Sequence, residues 1–235
     1  MNKQQFIQEL EKDNITISQE QILLLDQYYE HLIEWNKKMN LTSIIDKEEV
    51  YLKHFYDSIT LVINADLRQG STICDIGAGA GFPSIPVKIV RPDLKITIVD
   101  SLNKRITFVN YVIKELGLTD IEAKHDRAES HAERYREHYD YVTARAVARL
   151  SILSELCIPL VREGGHFIAM KGQTGEEELK EATTAYKTLG TNIKSSHIFE
   201  LPFQGGTRTI IIFKKIKKTP KKYPRNYGKI KKKPL

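Results

Sequence analysis

A glycine-rich turn between two apolar strands places the strongest constraint on how this chain can fold. Residues 71–76 are mostly apolar, and Gly77, Gly79 and Gly81 follow them at alternate positions. A second apolar run, residues 95–100, ends in Asp100, about twenty residues beyond the last glycine. Glycines let the backbone approach a ligand closely, and a carboxylate at the second strand end accepts hydrogen bonds from ribose hydroxyls. The pattern therefore predicts an α/β sheet that holds an adenosine-bearing cofactor.

The spacing within the turn indicates which cofactor is bound. A dinucleotide fingerprint reads G-x-G-x-x-G and presents a helix N-terminus to the pyrophosphate. Here Phe82 occupies the position of the third fingerprint glycine, and Pro83 and Pro86 leave the first helical turn with fewer N–H donors. S-adenosylmethionine carries a sulfonium instead of a pyrophosphate, and Asp75 favours its cationic groups. The spacing thus favours S-adenosylmethionine over a nicotinamide or flavin dinucleotide, and Asp100 argues against a turn that binds no ligand.

Composition limits the class of protein. With 235 residues and 41% apolar content, the chain can build one full domain with a core and a smaller appendage. No stretch is long and apolar enough to cross a bilayer, and the polar first residues do not resemble a signal peptide. Cys74 and Cys157 both sit among apolar residues, which indicates core positions in a reducing compartment. We therefore expect a cytoplasmic monomer with no membrane partner.

Positive charge is concentrated at the C-terminus. Eleven of the 36 basic residues lie after position 213, where there is no acidic residue, and this leaves 25 basic against 30 acidic residues in the rest of the chain. A basic arm that contains Tyr223 and Tyr227 suits a polyanion such as RNA, whose bases can stack on the rings. The alternative is a disordered, solubilising end. Prolines at 220, 224 and 234 predict an extended rather than a helical tail.

Hydrophobic periodicity divides the chain into a helical N-terminal region (1–65), a domain in which strands and helices alternate (66–216) and the basic tail (217–235). A capping box at Ser18–Gln21 begins a helix in the first region. The predicted strands are 71–76, 95–100, 121–125, 139–145, 166–170, 193–201 and 208–216, and the predicted helices of this domain are 83–91, 103–116, 128–137, 150–162 and 175–189. The last two strands follow each other without a helix and should pair antiparallel. The expected fold is that of a class I S-adenosylmethionine-dependent methyltransferase: α/β, Rossmann-like, with a mostly parallel seven-stranded sheet and helices on both faces.

Ligands bind at the carboxyl ends of the strands in such a sheet, which makes the end of the fourth strand informative. Methyltransferases that act on exocyclic amines often carry Asn- or Asp-Pro-Pro-aromatic there, and RNA cytosine-C5 enzymes need a nucleophilic cysteine, but this chain has Arg145. This favours an acceptor that is nucleophilic without losing a proton, such as guanine N7. Arg145 is expected near guanine O6 or near the cofactor, or else as a structural arginine paired to an acid. The histidines show no metal-ligand spacing, so no metal site is predicted, and His54 and His125 receive no role.

Ordered motifs recur along nearly the whole chain, at residues 35–37, 40–42, 54–58, 75–86, 100–101, 104–105, 127–129, 143–146, 170–172 and 223–225. Together they resemble the bacterial small-subunit ribosomal RNA methyltransferase G family, also called glucose-inhibited division protein B. The resemblance implies methyl transfer from S-adenosylmethionine to guanine N7 in the decoding-region hairpin of 16S ribosomal RNA in the small ribosomal subunit. Ala78 and Ser84 depart from the family pattern, since many members have Ser and Gly there, and both substitutions are small.

The resemblance also assigns residues to the site. It maps Gly77, Phe82, Ala128, Glu129 and Arg145 onto the family's cofactor contacts. The full predicted cofactor-binding set is Asp75, Gly77, Gly79, Gly81, Phe82, Asp100, Ala128, Glu129 and Arg145, with Arg145 also predicted to be catalytic; the predicted RNA-binding residues are Lys171, Lys221, Lys222 and Arg225. Two other classes stay open, a dinucleotide-dependent oxidoreductase and a non-catalytic RNA-binding or assembly factor on the same scaffold.

Overall fold

The structure, a computed structural model, describes residues 1–235. Its N-terminal region is helical. The elements are α1 (Lys3–Lys12), α2 (Gln19–Met39), α3 (Lys47–Val50), a π-helical segment (Tyr51–Tyr56) and α4 (Asp57–Asn64). Ser18 begins α2 in a reciprocal capping box with Gln21, as predicted, and Asn2 begins α1 in the same way with Gln5. Asn40 ends α2 in the left-handed conformation that commonly terminates helices.

One seven-stranded sheet forms the centre of the molecule. Its strands are β1 (Thr72–Ile76), β2 (Lys95–Asp100), β3 (Ile121–His125), β4 (Tyr139–Arg145), β5 (Val161–Lys171), β6 (Thr191–Leu201) and β7 (Gly206–Lys215). The spatial order is β3-β2-β1-β4-β5-β7-β6. The first five strands are parallel, and β7 pairs antiparallel with both β5 and β6. The predicted class I methyltransferase sheet and its antiparallel final pair are confirmed.

Six helices connect the strands: α5 (Ser84–Val90), α6 (Asn103–Glu115), α7 (Ala128–Arg134), α8 (Leu150–Cys157), α9 (Gly175–Glu181) and α10 (Thr183–Thr188). A 3-10 turn, Ile158–Leu160, follows α8. The predicted helix 175–189 is two helices that meet at Ala182. β5 begins at Val161, earlier than predicted, because Val161 pairs with Tyr139 ahead of a register shift in the ladder. Two glycines, Gly164 and Gly165, interrupt the apolar pattern there and hide this part of the strand from sequence reasoning.

The prediction of an extended tail is wrong for its last turns, which form α11 (Tyr227–Lys232). The Asn226 side chain accepts a hydrogen bond from the Lys229 N–H and caps the helix, and Ile230 is fully buried. The prolines lie outside these six residues and so do not interrupt the helix. Tyr223 is only 7% exposed and belongs to a core cluster, so the prediction that its ring stacks on bases is also wrong.

Two apolar clusters cover the two faces of the sheet. The larger one joins the sheet to the N-terminal helices, where Tyr28 stacks on Phe55 and packs against Phe82. The smaller one joins the sheet to α8, α9, α10 and the tail. Both terminal regions thus share a core with the sheet. The division of the chain into three parts at residues 65 and 216 stays a prediction from sequence. None of the helices is both long enough and apolar enough to cross a membrane.

Candidate active site

The glycine-rich turn follows β1 directly and takes a conformation that few other residues tolerate. Gly77 has a φ of 75°, and its N–H donates to the Val99 carbonyl at 2.7 Å, which ties the turn to β2. A Cβ atom at Gly77 would lie 2.6 Å from a methyl group of Val147. Gly81 has a φ of 103°, and a Cβ there would lie 2.5 Å from Ile85. The backbone of the turn therefore depends on glycine for both conformation and space.

Asp100 ends β2 beside this turn and is held there by backbone donors. Its Oδ2 accepts from the Gly79 N–H at 3.1 Å and its Oδ1 accepts from the Leu102 N–H at 2.9 Å. The Arg105 guanidinium lies 3.4 Å away, and the residue is only 3% exposed. These contacts fix the carboxylate at the base of a cleft and leave acceptor capacity for a ligand, since an ionised carboxylate has about four lone-pair sites.

This cleft, which we call the Asp100 cleft, has a volume of about 510 Å³ and opens at the carboxyl ends of β1 to β4. Gly77 and Asp100 line one side, and Ala128 and Glu129, at the start of α7, line another. Its full lining is Ile76, Gly77, Val99, Asp100, Ser101, Arg105, Asp126, Arg127, Ala128, Glu129, Ala146, Val147, Leu156 and Tyr227. The structure thus brings four of the predicted cofactor-binding residues to one cavity.

Asp75 lies in β1 below the turn and is completely buried. The Ser84 hydroxyl donates to its Oδ2 at 2.7 Å, whereas its Oδ1 has no hydrogen-bond partner. Burial raises the pKa of this carboxyl to about 7, although the hydrogen bond from Ser84 and the nearby Arg145 charge act in the opposite direction. Ser84, one of the two departures from the family pattern, therefore stabilises the ionised form of a buried acid.

An unpartnered buried carboxylate oxygen is an observation that fits a cationic ligand, because a positive charge nearby would offset the cost of ionising Asp75. Asp100 is a carboxylate at the end of the second strand, where sheets of this kind bind a ribose. Its position and the size of the Asp100 cleft fit an adenosine-bearing molecule. The residues present therefore fit S-adenosylmethionine, which combines an adenosine with a sulfonium and an amino group.

A second cleft adjoins the first and is lined by different chemistry. This Arg145 cleft has a volume of about 340 Å³, and Ala146 lines both clefts. Its lining is Lys53, His54, Asp57, Arg145, Ala146, Met170, Lys171, Gly172, Glu178 and Arg208. Four of these residues are lysine or arginine and two, Asp57 and Glu178, are acidic, so the lining has a formal charge of +2 and suits an anionic or electron-rich ligand.

Asp57 organises the Arg145 cleft. Its Oδ2 accepts from Arg145 Nη1 at 2.6 Å, and its Oδ1 accepts from Arg208 Nε at 2.8 Å. Arg145 also donates to the Lys53 carbonyl at 3.2 Å, and its guanidinium lies over the Phe82 ring at 5.2 Å. The Arg145 side chain remains 15% exposed. Arg145 is therefore paired to an acid, which was one of the predicted alternatives. It also lines the cleft.

His54 lies beside Arg145 as a neutral, fully engaged imidazole. Its ring stacks on Phe82 with 4.4 Å between the ring centres. Burial, followed by the positive charge of Arg145, lowers the pKa of His54 to about 3. Nδ1 lies 3.4 Å from Arg145 Nη2 and can only accept from it, so Nε2 carries the proton and donates to the Thr42 hydroxyl at 2.8 Å. Neither ring nitrogen is free to act as a base.

The remaining predicted residues are distributed unevenly. Phe82 is buried under the Arg145 cleft instead of lining the Asp100 cleft. Lys171 lines the Arg145 cleft, but its ammonium pairs with Glu178 at 2.8 Å. Lys221 and Lys222 are exposed on the tail. Arg225 is engaged in an ion pair with the fully buried Glu155 at 2.6 Å. The roles of these residues in RNA binding stay predictions.

Sequence reasoning did not assign roles to Asp57, His54 or Arg208, and it predicted Tyr227 to stack on RNA bases without placing it at the Asp100 cleft. The motif at residues 54–58 contained the first two, but its position within the N-terminal helices gave no sign that it faces the sheet. Arg208 lies on β7, 151 positions from the acid it contacts. His125 is exposed and contacts the Ser101 carbonyl at 3.1 Å, so it lies beside the Asp100 cleft without lining it.

Both cysteines are buried and free, as predicted. Cys74 lies in β1 and Cys157 at the end of α8, and neither lines either cleft. Burial raises the pKa of both thiols well above the ordinary value. No group of side chains in the structure has the arrangement of a metal site. The residues around these clefts thus provide no thiolate nucleophile.

The chain resembles known proteins along most of its length. The profile of the rRNA small subunit methyltransferase G family matches residues 19–204, which is most of the chain. The chain belongs to this family. Curated relatives of the same name include that of Lysinibacillus sphaericus, 55% identical over all of both chains. That of Staphylococcus epidermidis is 57% identical over 97% of this chain and 96% of the relative. As a member of the methyltransferase G family, the protein is an S-adenosylmethionine-dependent methyltransferase, and the predicted cofactor and family are confirmed.

Solved structures support the fold of this methyltransferase G family member. A 16S rRNA (adenine(1408)-N(1))-methyltransferase variant from Catenulisporales acidiphilia is 12% identical, with a TM-score of 0.54 over 65% of this chain and 88% of that chain. A SAM dependent methyltransferase from Aquifex aeolicus is 15% identical, with a TM-score of 0.52 over 72% of this chain and 93% of that chain. At these identities the likeness concerns the fold alone.

Proposed function

We propose that the protein transfers a methyl group from S-adenosylmethionine to N7 of a guanine in the decoding-region hairpin of 16S ribosomal RNA. The observation that carries this proposal is the pair of adjoining clefts at the carboxyl edge of the sheet. One presents a ribose-binding carboxylate, and the other presents guanidinium and ammonium groups without a free base or nucleophile. Two sites that share Ala146 suit a donor and an acceptor that must meet in line.

The Asp100 cleft would hold the cofactor through three groups of residues. Asp100 would accept hydrogen bonds from the ribose hydroxyls, and Ala128 with Glu129 would contact the adenine. Backbone groups of the turn at residues 77–81 would approach the amino-acid end closely, with Asp75 below them favouring its positive charge. S-adenosylmethionine, when bound, supplies an electrophilic methyl group on its sulfonium.

The acceptor chemistry follows from what the Arg145 cleft offers. Guanine N7 is an sp² nitrogen with an in-plane lone pair and no proton to lose, so its methylation requires placement but no base. His54 is neutral with both nitrogens engaged, and the buried cysteines lie elsewhere, which agrees with an acceptor of this kind. An exocyclic amine or a pyrimidine C5 would need a proton acceptor or a thiolate.

Arg145 is the residue we assign to the transferring step. Asp57 and the Lys53 carbonyl fix two directions of its guanidinium, and Phe82 fixes its plane. The part of the guanidinium that remains exposed can donate to guanine O6 and so orient the base with N7 towards the methyl group. A guanidinium held this firmly needs little reorganisation when the base arrives, and the positive charge that develops on the purine as N7 is alkylated is the charge that the sulfonium loses.

RNA would also be drawn to the protein by positive charge outside the clefts, on the tail. Lys221 and Lys222 are exposed and free to contact phosphates, and the eleven basic residues after position 213 make the tail the most positive part of the chain. A guanine stacked in a helix cannot present N7 in line with a methyl group inside a cleft. The target base would therefore be accessible in a loop or extruded from the stack.

The decisive experiment is to incubate the protein with methyl-labelled S-adenosylmethionine and small ribosomal subunits from a strain that lacks the modification, and then to map the label. We expect the label on a single guanine N7 of the decoding-region hairpin, and clearly less label when Asp100→Ala protein is used at the same, sub-saturating concentration of S-adenosylmethionine. Label on another atom would keep the enzyme class and discard the acceptor, and transfer to no RNA would discard the proposal. Deproteinised 16S RNA in a parallel reaction would distinguish naked RNA from the assembled subunit as substrate.

A further inference from the structure

The C-terminal tail is fastened to the body of the protein along its length. The Arg136 guanidinium donates to the carbonyls of Thr219 and Tyr223 at 2.7 Å each, and to that of Pro220 at 3.1 Å. Lys215, fully buried at the end of β7, donates to the Thr219 hydroxyl at 2.6 Å. The tail that the sequence presented as a free arm thus follows a fixed path after β7.

A second anchor lies further along the tail. Arg225 Nε and Nη2 form a two-pronged ion pair with Glu155, at 2.9 Å and 2.6 Å, and the Arg225 N–H donates to the same carboxylate at 2.8 Å. Glu155 is completely buried in α8. Ile230, also completely buried, places one side of α11 in the core against α8. A bidentate pair to a buried carboxylate has strict geometry, so it fixes both position and direction of the segment between Arg225 and Ile230.

This path brings Tyr227 to the Asp100 cleft. The residue lines the cleft together with Val147 from the loop after β4, Leu156 from α8 and Ala128 from the start of α7. It is 36% exposed, which is high for a large side chain beside a core. Half of the residues that line this cleft are hydrophobic, and Tyr227 is the only aromatic one among them. Its ring offers a flat surface to a planar ligand.

We infer that Tyr227 is the wall of the Asp100 cleft that covers the adenine of the bound cofactor, and that the Arg225–Glu155 pair positions it. The inference rests on the proposed function, because the ligand is the cofactor named there. Ala128 and Glu129, which that function places against the adenine, begin α7 and line the same cleft as Tyr227. Aromatic rings stack on every base through its π-face, so the ring needs no specific polar contact.

The test is calorimetric binding of S-adenosylhomocysteine and of adenosine to the full-length protein and its variants. Tyr227→Ala should weaken both ligands by about tenfold or more, as expected for the loss of one aromatic–base stack. Tyr227→Phe keeps the ring and should restore affinity. Lys229→Ala, an exposed change two residues further along the same helix, is the matched control and should bind as the original protein does. Circular dichroism and thermal unfolding of each variant verify that the fold is retained.

The two ligands separate the possible outcomes. Equal weakening of adenosine and S-adenosylhomocysteine supports a contact with adenine, whereas weakening of S-adenosylhomocysteine alone would overturn it. Unchanged affinity of Tyr227→Ala, with affinity lost in Asp100→Ala, would overturn the inference and leave the proposed function intact. No binding of either ligand to the original protein would overturn the proposed function itself.

The positioning role of Arg225 has its own readout. Arg225→Gln should weaken both ligands less than Tyr227→Ala does, and the double variant should bind as weakly as Tyr227→Ala alone, because the two residues act through one ring. Additive losses in this cycle would show that Arg225 acts on the cleft independently of Tyr227 and would overturn the assigned positioning role.

Discussion

The free energy of unfolding of an Asp75→Asn variant, minus that of the original chain, should increase as the pH rises. Asp75 is fully buried with one oxygen unpartnered, and burial raises its pKa in the folded protein from 3.8 to about 7. The folded protein therefore binds this proton more tightly than the unfolded chain does. The contribution of Asp75 to stability is complete below about pH 4 and is lost as the pH rises through 7. Asparagine has nearly the same shape and no such titration.

The magnitude follows from the two pKa values. A difference of one pKa unit corresponds to about 1.4 kcal/mol, so full ionisation of Asp75 costs the folded state about 4 kcal/mol relative to the neutral carboxyl. Most of the change falls within an accessible range, because linkage gives about 2 to 3 kcal/mol between pH 5 and pH 8. Any constant effect of the amide group at this site, such as an unpaired N–H, cancels when the two pH values are compared.

Urea unfolding at several pH values and constant ionic strength provides the assay. Trp35 is the only tryptophan and lies on α2 against Phe108, so its fluorescence reports on the core that joins the N-terminal helices to the sheet. We expect the free energy of unfolding of Asp75→Asn, minus that of the original protein, to increase by about 2 to 3 kcal/mol from pH 5 to pH 8. Ser84→Ala, in a chain that keeps Asp75, removes a hydrogen bond that favours the ionised carboxyl. The free energy of unfolding of this variant should therefore depend on pH more strongly than that of the original protein.

A difference between Asp75→Asn and the original protein that stays the same across this pH range would refute the reasoning, since it would mean that Asp75 does not ionise with a raised pKa. A functional measurement gives a second check. The same substitution should weaken S-adenosylmethionine binding at pH 8, where the original carboxylate is charged, and should matter less at pH 5. A stability gain together with an affinity loss is the signature of a buried acid kept for its charge.

Three further predictions concern other residues. Asp100→Ala should weaken S-adenosylhomocysteine binding by about tenfold or more, because charged hydrogen bonds to the ribose disappear, and unchanged affinity by calorimetry would contradict the assignment. Lys221→Gln with Lys222→Gln should lower the salt dependence of RNA binding, seen as a slope of log affinity against log salt that is smaller by about two; an identical slope would place these lysines away from the RNA. Arg225→Ala should lower the free energy of unfolding by about 3 to 5 kcal/mol because the buried Glu155 loses its partner, whereas an unchanged urea midpoint would show that the pair adds nothing to the fold.

Much of the fold could be predicted because its signals are local. The bounds of β2, β3 and β4 agree with the periodicity, and the order of strands and helices fixed the sheet type before any contact was known. Asp100 and the glycines could be placed at one edge because parallel strands end together. Where glycines weakened the apolar pattern, as at the start of β5, the prediction fell short.

The second half of the site could not be predicted because it depends on long-range packing. Asp57 belongs to a helix outside the sheet, and no spacing rule relates it to Arg145 on β4. The neutral state of His54 arises from its burial between Phe82 and Arg145, which only the assembled core creates. The prediction of an extended tail was wrong for a related reason. Its charge suggested a free arm, but the burial of Ile230 and of the Arg225 partner Glu155 depends on a groove that the sequence of the tail does not reveal.

The two ion pairs of Asp57 also determine at what point of synthesis the Arg145 cleft can be completed. The acid contacts one arginine 88 positions later and another 151 positions later, on β7, which begins thirty residues before the end of the chain. Contacts of such sequence separation form only after the intervening chain is available. A nascent or truncated polypeptide without β7 would thus carry the glycine-rich turn but lack a finished surface for the base. Asp57 can therefore pair with both arginines only after β7 has been synthesised.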